Sequence, residues 1–222
     1  MPHRAPRPVI IFDFDGTLAD TWRDIATALN RTLVDAGLPA VDGPDVRFWI
    51  GDGVVKLLER ALPEGRRSES DLDQLYKSFR RHYDRCCLDT TETYPGIIEC
   101  LDQLGDAVLA VASNKPGRFL DRVLGGLGLK PYFGVVLAGD TLPTRKPDPQ
   151  VVRHLLSRID VVPTDVWMVG DSAVDVETGR ASGARTIGCG WGLRGRDELR
   201  RAGVDHLIES PREIPPLVRG GK

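Results

Sequence analysis

The chain of 222 residues carries 30 Lys and Arg against 32 Asp and Glu, a formal net charge of -2, with a pI near 6.1. That length suits one well-cored domain plus a smaller one, and the near balance of charge gives no basic field, so nucleic acid is not an expected partner and any anion must be met by a local site. Four cysteines (Cys86, Cys87, Cys100 and Cys189) lack zinc-site spacing and suit a reduced interior, and no stretch has the length of a signal-peptide core or a membrane span, so a cytoplasmic chain with no membrane partner is expected.

In chain order, residues 9–12 (Val-Ile-Ile-Phe) are too short and too β-branched for a helix and predict a buried central strand. Gly16 marks the turn that ends it. Asp13 and Asp15 therefore stand together at a strand's carboxyl end, and with i, i+2 spacing they face the same way. Two such carboxylates repel unless a cation or a shared proton relieves them, although Asp before Gly is also a common turn former.

Residues 20–94 predict helices without an intervening strand. Trp22, Ile25, Ala26, Leu29 and Leu33 form one apolar stripe stopped at Gly37; Leu57, Leu58, Ala61 and Leu62 form another; Leu72, Leu75, Tyr76, Phe79 and Tyr83 form a third. Asp20 is expected to cap the first of these helices, and Asp52 either caps the helix beginning near Val54 or belongs with Arg47 and Lys56 as a polar group beside the glycine-rich run 51–53.

From residue 95 onward helix and strand patterns alternate, which predicts a parallel sheet wrapped by helices. Ile97, Ile98, Leu101 and Leu104 share a helical face. The strand 108–112 ends in Ser113 and Asn114, and a helix follows through Phe119, Leu120, Val123 and Leu127. A strand lies within 134–139, and Asp148 with Pro149 reads as N-cap and first turn of the next helix. The strand 166–170 ends in Asp171, before a helix over about 173–181 and a strand through Thr186 and Ile187. A weak strand and helix fall between Asp205 and Val218, and the closing Arg-Gly-Gly-Lys predicts a frayed tail. Lys146 sits in the stiff run Arg-Lys-Pro-Asp-Pro at 145–149. Singly, Ser113 reads as a strand-end cap, Lys146 as a solvated loop charge, and Asp175 as the third residue of a Ser172 capping box.

Together these segments resemble the four ordered motifs of the haloacid dehalogenase-like phosphohydrolases: Asp13 with Asp15, then Ser113, then Lys146, then Asp171 with Asp175. The resemblance spans residues 9–192 and implies an α/β fold, a Rossmann-like parallel sheet with flanking helices. It also implies a catalytic core of residues 1–19 and 95–222 and an inserted all-helical cap over 20–94, hinged near Leu18 to Asp20 and Tyr94 to Gly96.

The resemblance implies Asp13 as the nucleophile that forms an aspartyl-phosphate, and Asp15 as general acid and base that also lends its carbonyl to the metal. Asp13, Asp15, Asp171 and Asp175 are implied in or near a magnesium shell, and Ser113, Asn114 and Lys146 around the transferring phosphoryl oxygens, with Thr17 ordering the turn or touching the phosphoryl group.

The runs 49–53, 113–115, 145–149 and 190–192 are similar to phosphoglycolate phosphatases, which implies a small phosphorylated metabolite as substrate, with Arg47, Asp52 and Lys56 as candidates to meet its carboxylate, and a monomer or homodimer. Pyrophosphatases, sugar-phosphate and nucleotide phosphatases and phosphomutases share the implied core. A dehalogenase is disfavoured by Asp15 and Gly16-Thr17, and a phospho-aspartate signalling domain by the position of Asp13 and the insertion after it.

Overall fold

The structure, a computed structural model, describes residues 6–220. The first strand, β1 (Pro6–Phe12), leads through a turn into β2 (Ala19–Asp20), which pairs antiparallel with β3 (Glu92–Thr93). Between those two short strands lie α1 (Trp22–Asp35), α2 (Gly43–Val46), α3 (Val54–Ala61) and α4 (Glu69–Cys86). The remainder runs α5 (Ile97–Gln103), β4 (Val108–Ala112), α6 (Gly117–Gly126), β5 (Val135–Leu137), α7 (Gln150–Ser157), β6 (Val162–Gly170), α8 (Ala173–Ser182), β7 (Arg185–Cys189), α9 (Arg196–Ala202), β8 (His206–Ile208) and α10 (Ile214–Gly220).

Six strands form one parallel sheet in the order β5-β4-β1-β6-β7-β8. The expected α/β class with a parallel sheet is what the chain adopts. Because β1 is flanked on both edges and covered on both faces, Val9, Ile10, Ile11 and Phe12 are all fully buried. Alternation divides them: Ile10 and Phe12 join the larger core cluster, which continues into the helices of residues 22–86, while Val9 and Ile11 join Val152, Leu155 and Met168 on the other face. The chain builds outward from β1 to β4 and β5, then returns to β6, β7 and β8 on the opposite edge. The carboxyl ends of β1, β4 and β6 therefore lie at the point where strand order reverses, the usual place for a ligand site in an open α/β sheet.

The helical insertion is fastened by a buried carboxylate. Asp24 of α1 accepts from the backbone N–H and hydroxyl of both Thr90 and Thr91, at 2.7–3.1 Å, so the chain leaving α4 is tied to the start of α1.

Several local expectations shift. Asp20 does not cap α1: it lies in β2 and pairs with Arg23 at 2.9 Å, while Thr21 occupies the N-cap without a side-chain bond. The residue before it is already extended, because the β2–β3 ribbon claims it. That ribbon, too short to register as a pattern, sits where hinges are expected. Asp52 does not cap α3, whose N-cap is Gly53; its carboxylate turns to Arg60 at 2.5 Å. Asp148 accepts the N–H of Gln150 at 2.8 Å, though Pro149 holds the N-cap position. Helix α9 has no counterpart among the expected elements. Of the expected frayed tail, Arg219 and Gly220 belong to α10, and Gly221 and Lys222 lie outside the described residues.

Candidate active site

Asp13 leaves β1 with its N–H donating to the Val169 carbonyl of β6 at 2.8 Å, so the sheet itself fixes its backbone. The turn that follows closes through Leu18 and Ala19 N–H groups on the Phe14 carbonyl and Gly16 N–H on the Ala19 carbonyl. Gly16 is demanded twice: its φ is +83°, and a Cβ there would lie 2.3 Å from Asp171 Oδ2. Gly192 is similarly constrained, since its Cβ would meet Asp171 Cβ at 2.2 Å. Asp171, at the end of β6, is thus clasped between two glycines, and its Oδ2 accepts the Leu193 N–H at 2.7 Å.

Asp13, Asp171 and Asp175 converge, each buried, with one oxygen apiece lying within 4.8 Å of the others. Lys146, 4% exposed, stands among them, its Nζ 2.9 Å from Asp13 Oδ1 and 2.7 Å from Asp175 Oδ1. The contact with Asp13 has ion-pair distance but not hydrogen-bond direction, and that buried Oδ1 has no hydrogen-bond partner. Asp175 is committed on both sides, because its Oδ2 accepts from the Ser172 N–H and hydroxyl in a capping box at the start of α8. The capping role and the site role of Asp175 thus coexist, the cap aiming the second oxygen at Lys146.

Three carboxylates against one ammonium leave two negative charges if all ionise. Burial pushes the Asp13 carboxyl up to about 7, with Lys146 opposing and Asp175 reinforcing the rise. Burial, Asp175 and Asp13 together push Asp171 well above the ordinary carboxylate range. Burial alone would lower Lys146, but Asp13 and Asp175 outweigh it and hold its ammonium above the usual range. A compact set of hard oxygen donors, two excess negative charges and one unused Asp13 lone pair fit a divalent cation of the magnesium type.

Asp15 faces a second lysine. Its carboxylate accepts from Lys115 Nζ at 2.9 and 3.2 Å and from the Thr21 hydroxyl at 2.6 Å. Ser113 is buried at the end of β4, its N–H on the Leu137 carbonyl and its Oγ accepting the Lys115 N–H at 3.3 Å. The Asn114 side chain is a clasp: Oδ1 accepts the Lys146 N–H at 3.0 Å, and Nδ2 donates to the Lys146 and Gly51 carbonyls. It thereby ties the β4 end to the Lys146 turn and to the insertion loop. Thr17 is fully buried, its hydroxyl unpartnered.

A cavity of about 40 Å³ of space for the centre of a water molecule adjoins Asp13, Asp15 and Ser113. Ile25, Ile50, Leu57 and Phe79 of the helical insertion wall it on one side. The polar insertion residues singled out in the sequence do not line it. Lys56 pairs with Glu59 on the surface, Asp52 with Arg60, and the Arg47 guanidinium packs over the Trp22 ring at 5.9 Å. Lys115 and Arg194, which sequence reasoning did not single out, hold the positions of consequence. Arg194 donates to the carbonyls of Phe48 and Ile50, drawing the loop 48–50 onto the core, and pairs with Glu198 at 3.0 Å. The available signal for Lys115 was its place two residues past Ser113, at the same strand end.

The model of the haloacid dehalogenase-like hydrolase family matches residues 10–189. The chain belongs to that family and is an enzyme of it. Within the family it is phosphoglycolate phosphatase-like: it is 40% identical over 199 residues to the phosphoglycolate phosphatase of Agrobacterium fabrum, covering 86% of this chain and 84% of that one. It is 33% identical over 217 residues to that of Chromobacterium violaceum, with 96% of each covered. A crystal structure of a predicted phosphoglycolate phosphatase from Haemophilus somnus superimposes with a TM-score of 0.87 at 27% identity, over 94% of this chain and 96% of that one.

Proposed function

We propose that this phosphatase is a magnesium-dependent phosphomonoesterase that works through an aspartyl-phosphate on 2-phosphoglycolate or a similar small phosphate ester. The observation that carries the reading is the buried group of Asp13, Asp171, Asp175 and Lys146 at the end of the central strand, with Asp13 Oδ1 in ion-pair contact with Lys146 but without a directed hydrogen bond. A dianionic ester repels nucleophiles, so a site for it must neutralise the equatorial oxygens and hold an attacker in line.

Asp13 is the attacker in this reading. Its carboxylate oxygen bonds to phosphorus as the ester oxygen departs, and water then displaces the phosphoryl group from Asp13, returning the carboxylate. Asp15 gives its proton to the departing oxygen and takes one from the attacking water, a relay that contributes roughly 10²–10⁴-fold. Lys146 and Ser113 hold phosphoryl oxygens, and Asn114 fixes Lys146 through its backbone. Asp13, Asp171 and the Asp15 carbonyl would hold magnesium, with Asp175 at the edge of the set because Lys146 and Ser172 already engage both of its oxygens. Bound there, magnesium would supply charge neutralisation at the phosphoryl group and would favour the ionised form of Asp13. Residues 20–94 serve as the cap that excludes water, the remainder being the catalytic core, and we place the enzyme in the cytoplasm.

Phosphate release from 2-phosphoglycolate, pyrophosphate, sugar phosphates and nucleotides, with magnesium and then with chelator, tests the proposal. Magnesium-dependent preference for 2-phosphoglycolate is the expected result. Preference for another ester would remove the substrate and keep the mechanism; release unaffected by chelation would remove the metal.

A further inference from the structure

We propose that Lys115 and the Tyr83 hydroxyl form the subsite for an anionic end of the substrate's leaving group, a carboxylate carried one or two carbons from the ester oxygen. The inference rests on the phosphatase reading above and names what distinguishes its substrate.

Three observations carry it. First, Lys115 is the single cation among the described residues that line the cavity beside Asp13 and Asp15, and it is 6% exposed. Arg47, Lys56 and Arg60 of the insertion do not line that cavity: Arg47 lies over Trp22, Lys56 pairs with Glu59 and Arg60 with Asp52. Second, the one carboxylate that Lys115 Nζ meets is that of Asp15, at 2.9 and 3.2 Å, and an ammonium has three donors. Third, Tyr83 of α4 lines the same cavity, its ring centroid is 4.7 Å from Lys115 Nζ, and its buried hydroxyl makes no well-directed hydrogen bond, Lys115 being the charge beside it. A buried hydroxyl without a well-directed acceptor is costly, and a carboxylate oxygen entering the cavity would supply one.

The rest of the wall sharpens the choice of ligand. Ile25, Leu57, Phe79 and Phe119 offer nothing to a sugar's hydroxyls, and the small volume admits a leaving group of only a few heavy atoms. An anion against such a wall is heavily penalised unless it meets a cation, and Lys115 meets it. The subsite draws one member from each side, Lys115 following β4 and Tyr83 on α4, so both are in place only when insertion and core are together.

The test compares kcat/KM for 2-phosphoglycolate and for 2-hydroxyethyl phosphate, whose leaving group is uncharged, in the wild type and in Lys115→Met, Lys115→Arg and Tyr83→Phe. Loss of the Lys115–Asp15 pair affects both esters and cancels in their ratio. The wild type is expected to prefer 2-phosphoglycolate, Lys115→Met to reduce that preference by about 100-fold, and Tyr83→Phe by about tenfold. Lys115→Arg should retain most of it. An unchanged ratio in Lys115→Met, or no wild-type preference for the anionic ester, would overturn the subsite while leaving the phosphatase reading intact. Should Lys115→Met not fold, Tyr83→Phe keeps the ring and decides by the same ratio. Release of phosphate from neither ester by the wild type would count against the phosphatase reading instead. Glycolate binding by calorimetry then decides the subsite alone: binding lost in Lys115→Met supports it, and equal binding or none in the wild type overturns it.

Discussion

The two walls of the cavity are built on different physical terms. On the core side Asp13, Asp15, Ser113, Asn114 and Lys115 line it, and Asp13 gathers with Asp171, Asp175 and Lys146 at strand ends or turns whose backbones are pinned by the sheet, by the Asn114 clasp and by a capping box. On the insertion side the wall is apolar, and its loop 48–51 is drawn to the core chiefly through backbone carbonyls that accept from Arg194 and Asn114. Carbonyl acceptors exist on every residue, so that loop can change its side chains without losing its attachment. The core wall has no such freedom, because three clustered carboxylates share one ammonium in a place where water cannot screen them. On the proposed reading the rigid wall holds the chemistry, while selectivity draws on both walls, Lys115 from the core and Tyr83 from the insertion.

The contrast breaks if core substitutions prove mild. The largest effect is expected for Asp13→Asn: kcat should fall by about 10⁴-fold or more, while the melting temperature holds or rises, because a buried carboxyl is replaced by a neutral isostere. Lys146→Met should leave Asp13 and Asp175 buried and unpaired, lowering stability by roughly 3–5 kcal/mol in chemical denaturation along with activity. A smaller loss would mean that those carboxylates find solvent. Asp15→Asn should slow turnover by about 10²–10⁴-fold, measured with a substrate whose leaving group needs protonation; an unchanged rate would remove Asp15 from the proton relay. On the other wall, Arg194→Ala should release the loop 48–50 and raise KM by about tenfold with a smaller change in kcat. A fall confined to kcat would erase the division between walls.

The smallest expected effect is a pH dependence. The Asp13 carboxyl, ordinarily near 3.8, is raised by burial to about 7. In metal-free protein its contribution to stability is complete below the ordinary value and is lost as pH rises through about 7, since the folded state binds the extra proton. Asp171 shifts in the same direction. Thermal unfolding between pH 4 and 8 should show that loss, magnesium should diminish it, and magnesium binding near pH 6 should release protons. Melting curves with the same pH slope in both conditions would separate the metal from these carboxylates.

The core wall was legible because its residues follow strands whose composition declares them. Four buried residues in β1 leave Asp13 no other position, and the same reasoning carries Ser113 and Asp171. Partnerships across the fold were not legible. Nothing local says that Lys115 meets Asp15, a hundred residues away in sequence, that Asp24 gathers Thr90 and Thr91, or that Arg194 reaches Phe48 and Ile50. The Asp20 and Asp52 caps failed for a related reason: cap preferences are local, and a two-residue ribbon in one case and Arg60 in the other made distant claims on the same side chains. Glycine runs carried more than turn chemistry, since Gly16 and Gly192 are small because Asp171 lies against them.

The central claim is that Asp13 is the nucleophile, and trapping it is the most direct measurement. Enzyme mixed with magnesium and 2-phosphoglycolate is quenched in acid within the first turnover and its peptides are mapped by mass spectrometry. The account predicts a phosphoryl group on the peptide that contains Asp13, absent from Asp13→Asn. A phosphoryl group on another residue, or full turnover by Asp13→Asn, would contradict it.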